Sequence, residues 1–116
     1  SRSLQEQEKT VPPAPIEKAV TDILSVCHEK FGAFRGLIIE ALRYSADEFT
    51  GRIETMVSTF ALVQEIALGR YLILFDRVRD EELIARHLIK TVPGKNIFAF
   101  EAEDSQEALA LLKPYL

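Results

Sequence analysis

Residues 71–76 read YLILFD, a run too short for an independent helix and apolar on both of its alternating faces. A strand that meets water on one side alternates polar with apolar residues, whereas this one needs cover on both sides, as in the middle of a parallel sheet. The chain must therefore supply apolar layers above and below it. Its 116 residues, 47% hydrophobic and 28% charged, suffice for one core.

The segments around that run suggest where the layers come from. Ile16, Val20, Ile23, Leu24, Cys27 and Phe31 recur at helical spacing, with Pro15 suited to the first turn and Gly32 to the end, so a helix is predicted over 16–31. In 36–42 the Ile38-Ile39 pair favours a strand, although Phe34, Leu37, Ile38, Ala41 and Leu42 would also line one side of a helix. Ser45 and Glu48 have capping-box spacing and Gly69 follows the last periodic residue, which predicts one long helix over about 46–68. Its stripe of Ala46, Phe49, Ile53, Met56, Phe60, Val63 and Ala67 steps by threes and fours like a heptad seam. After the apolar run, Asp80-Glu81-Glu82 opens a helix predicted over 80–91, Pro93-Gly94 marks a turn, and 96–102 reads as another strand. Asp104 caps a last helix that stops at Pro114. The expected fold is a small layered α/β domain over 16–116, with a short, largely parallel sheet of about three strands packed by four helices. Residues 1–15, polar and carrying Pro12, Pro13 and Pro15, have the composition of an extended linker.

Charge and cysteine content narrow the function classes. A formal charge of −4 offers no clustered basic surface for phosphate backbones or anionic lipids, so neither nucleic acid nor membrane is an expected partner. No segment has the roughly 18–20 apolar residues that crossing a bilayer takes. With one cysteine, two histidines and no C-x-x-C, a zinc site lacks ligands, no metal or cofactor is implied, and a reducing cytoplasm is the simplest compartment. Nucleotide-binding, hydrolase and zinc-protease signatures do not occur. Cys27 and His28, adjacent on a helix, point about 100° apart and cannot act as a nucleophilic pair.

In an open parallel sheet, ligands sit beyond the carboxyl ends of the strands. Asp76, Glu101 and Glu103 fall there, and with His87 they are candidates for holding a hard cation such as Mg²⁺ or a small ligand. The competing reading makes Asp76 a helix-entry group paired with Arg77 or Arg79, and gives Glu103 and Asp104 to the last helix. His87, beside Leu83, Ile84, Leu88 and Thr91, then reads as a core or boundary histidine.

The stretch LILFDRVRDEELIARHL followed by FAFEAEDSQEALALL resembles the first strand, helix, strand and helix of response-regulator receiver domains. That resemblance covers about 70–113 and implies a parallel sheet. Receivers place paired acids directly after the first strand, where this chain has Asp76 followed by Arg77, and carry the phosphate-accepting aspartate on a third strand with no counterpart here. The leading expectation is therefore a non-catalytic regulatory or protein-interaction module of a larger bacterial-type signalling or assembly protein. It would form a homodimer, or bind a protein partner, through Phe49, Ile53, Met56, Phe60 and Val63 of the long helix. The alternative is a small ligand- or Mg²⁺-binding enzyme, or a receiver-like domain, using the strand-end acids.

Overall fold

The computed structural model describes residues 15–56, 61–76 and 95–116. Helix α1 (Pro15–Phe31) leads into β1 (Phe34–Glu40), then α2 (Ala46–Met56), β2 (Ala61–Ala67), β3 (Arg70–Asp76), β4 (Lys95–Ala102) and α3 (Ser105–Leu112), which closes on a 3₁₀ turn at Lys113–Tyr115. The predicted strands at 36–42, 71–76 and 96–102 and the first and last helices are all present. The predicted helix at 80–91 lies outside the described residues.

The sheet overturns the parallel expectation. Its order is β2-β3-β1-β4, and every neighbouring pair is antiparallel. The strands β3 and β4 do run in the same direction, but β1 lies between them. In the same way β1 and β2 run together with β3 between, so the β1-α2-β2 stretch is a split βαβ unit. Both the receiver-like parallel core and the count of about three strands fall with this result. The residues that looked like consecutive strands of one crossover are separated by a strand from earlier in the chain, and such non-local insertion leaves no local sequence mark.

The second correction concerns the long helix. Among the described residues of that span only Ala46–Met56 is helical, and Ala61–Ala67 is a strand that turns through Leu68-Gly69 into β3. Gly69 takes φ +70°, so the residue expected to end a helix ends a strand instead. The heptad seam is thus divided. Phe49 and Ile53 are fully buried in the domain's own core, Val63 is a half-buried strand residue, Met56 ends α2, and Phe60 lies outside the described residues.

Local chemistry explains the element ends. The Ser45 hydroxyl accepts the Glu48 N–H, the N-cap half of a capping box at the start of α2, and donates to Glu48 Oε1, both at 3.2 Å. Asp104 Oδ1 accepts the Glu107 N–H at 2.8 Å at the start of α3. At the end of α1, the Gly32 N–H returns to the His28 carbonyl at 2.7 Å, and His28 Nδ1 lies 3.0 Å from the Gly32 carbonyl. A carbonyl only accepts, so Nδ1 carries the proton in that contact.

Two apolar layers enclose the sheet. On one face α1 and α3 bring Val20, Leu24, Cys27, Ala108 and Leu112 onto Phe34, Ile38, Leu72, Leu74, Phe100 and Ala102. On the other, α2 brings Phe49 and Ile53 onto Leu37, Ile39, Tyr71, Ile73 and Phe75. Residues 71–75 of β3 are buried without exception, which is why that run carries no polar alternation.

Candidate functional site at the hairpin end of the sheet

The strand-end acids must be placed first. Asp76 ends β3 directly opposite Phe34, and Glu101 of β4 lies opposite Arg35, so both acids occupy the same end of the sheet. They nevertheless face opposite ways. Side chains alternate along a strand, so Asp76 shares the face of Leu72 and Leu74, toward α1, where its charge is felt at Cys27. Glu101 lies on the face away from Phe100 and Ala102, where its Oε1 accepts from Arg35 Nη1 at 2.6 Å. With β1 between them, the two carboxylates stand roughly 10 Å apart in the plane of the sheet, two strand spacings, and on different sides of it. Glu103 follows β4 at the entry to α3, and His87 lies outside the described residues. No group of three or more His, Cys, Asp or Glu able to hold a metal ion occurs among the described residues.

Other groups with chemical potential hold the scaffold. Cys27 is a free, fully buried thiol, and burial, reinforced by the negative charge of Asp76, pushes its pKa up to about 12. A thiol held protonated in this way is a poor nucleophile. The Tyr71 hydroxyl donates to the Tyr44 carbonyl at 3.0 Å, and burial, with the nearby Glu65 and Glu48 charges, raises its pKa as well.

The opposite end of the sheet has a different character. Here Leu42, just after β1, and Leu68, in the β2–β3 turn, are 72% and 90% exposed. Neither side chain hangs on a loose loop. The Ala41 N–H donates to the Gly69 carbonyl at 2.8 Å, tying the chain after β1 to the hairpin, and the Leu42 side chain lies against Gly69, where a Cβ would overlap it. Tyr71 bonded to the Tyr44 carbonyl anchors the same connection from within the core. Cross-strand pairing of Glu40 with Arg70, 3.1 Å apart, fixes the register one residue earlier. Arg43, next to Leu42 in the chain, and Asp47, in the first turn of α2, are both exposed. A prediction of function from the sequence misses this pair, because Leu42 reads as the end of a strand or helix stripe and Leu68 as part of a long helix. The only signal was two apolar runs separated by two residues ending in glycine, a hairpin spacing.

No protein-family model, no curated protein and no solved structure matches the chain. No helix among the described residues is long and apolar enough to cross a membrane.

Proposed function

We propose that the domain is a non-catalytic regulatory or protein-interaction module of a larger signalling or assembly protein, acting in a reducing compartment such as the cytoplasm. The observation that carries this reading is that Leu42 and Leu68 are both exposed where the chain after β1 meets the β2–β3 turn, on backbone pinned by the Leu42–Gly69 contact and the Ala41–Gly69 hydrogen bond. An apolar side chain already packed against its own backbone, as Leu42 is against Gly69, loses little conformational freedom on contact, which is what a protein-binding anchor needs. The composition of 1–15 fits an extended linker.

Site-specific photo-crosslinking tests the reading. A benzophenone amino acid at position 68 of the full chain, expressed in its native cell, is expected to link to another polypeptide, while the same probe at Leu111 on α3 is not. Equal labelling at both positions, or none at 68, overturns it. Replacing both leucines by serine should leave folding stability within about 0.5 kcal/mol, as for other exposed sites.

A further inference from the structure

We draw no further inference here: the strongest candidate, the exposed Leu42 and Leu68 at the hairpin end of the sheet, belongs to the site already described, and nothing in the structure shows what covers it.

Discussion

On the face covered by α1 and α3, every buried contact is apolar, and its closest fit is between an aromatic ring and a missing side chain: Phe100 lies over Gly36, where an added Cβ would overlap the ring. On the face covered by α2, the fit is made by stacked rings and a polar tether. Phe49 lies parallel to Tyr71 with centroids 4.1 Å apart, and the Tyr71 hydroxyl is bonded to the Tyr44 carbonyl just before α2 begins. The first face depends on shape. The second adds direction, because a hydrogen bond tells the β1–α2 connection where to sit, and that connection carries Leu42 and Arg43. The contrast teaches that the exposed end is positioned by the aromatic face, while the helical face supplies burial.

Phe49→Ala should do the greatest damage, removing the stack and opening a cavity worth about 3–5 kcal/mol. Denaturant titration would read that loss, and a loss under 1 kcal/mol would mean that α2 contributes little to the core. Gly36→Ala comes next, at about 1–3 kcal/mol, because the Phe100 ring must move to admit a methyl group. Combining it with Phe100→Leu should recover part of that cost. Strict additivity of the two changes would disprove the overlap.

Tyr71→Phe keeps the ring stack and deletes only the tether, a loss of about 1 kcal/mol. Its sharper signature is faster hydrogen exchange at the Ala41 amide, since the connection is then held from one side only. Unchanged exchange would sever the proposed link between the aromatic face and the hairpin end.

The smallest effect at neutral pH belongs to Cys27. Folding raises this thiol from 9.0 to about 12, so above pH 9 the unfolded chain releases a proton that the folded chain retains. Its contribution to stability is full below pH 9 and declines as the pH rises toward 12. Tyr71, raised from 10.0, acts in the same direction on the other face. Native protein at pH 8 should resist iodoacetamide and react once unfolded, as mass spectrometry would show. Rapid native labelling would mean that the α1 layer opens readily.

Much of the local structure was legible in the chain. The spacing in α1, the Ser45 and Asp104 caps and the β-branched pair in β1 each act over a few residues, and each was readable. The helix expected over 46–68 failed because ALVQEIA satisfies two patterns together. Leu62 and Ile66 are four apart, as in a helix, while Leu62 against Ala61 and Val63 alternate between the two layers, as in a strand. Pairing with β3 decided between them, and that pairing is a tertiary event. The candidate site was less legible still, since Leu42 meets Gly69, the residue after Leu68, only when the hairpin folds back beside the end of β1.

What the sequence determined by itself is that 71–75 is extended and covered on both sides, because the run is too short for a typical helix and apolar on both alternating faces. It could not determine which strands flank that run or in which direction they travel. Hydrophobic alternation records only which side chains are hidden, and it is identical for parallel and antiparallel neighbours. The tertiary structure settled the matter by bringing β1, from more than thirty residues earlier, between β3 and β4. With β1 there, Asp76 and Glu101 part to opposite faces.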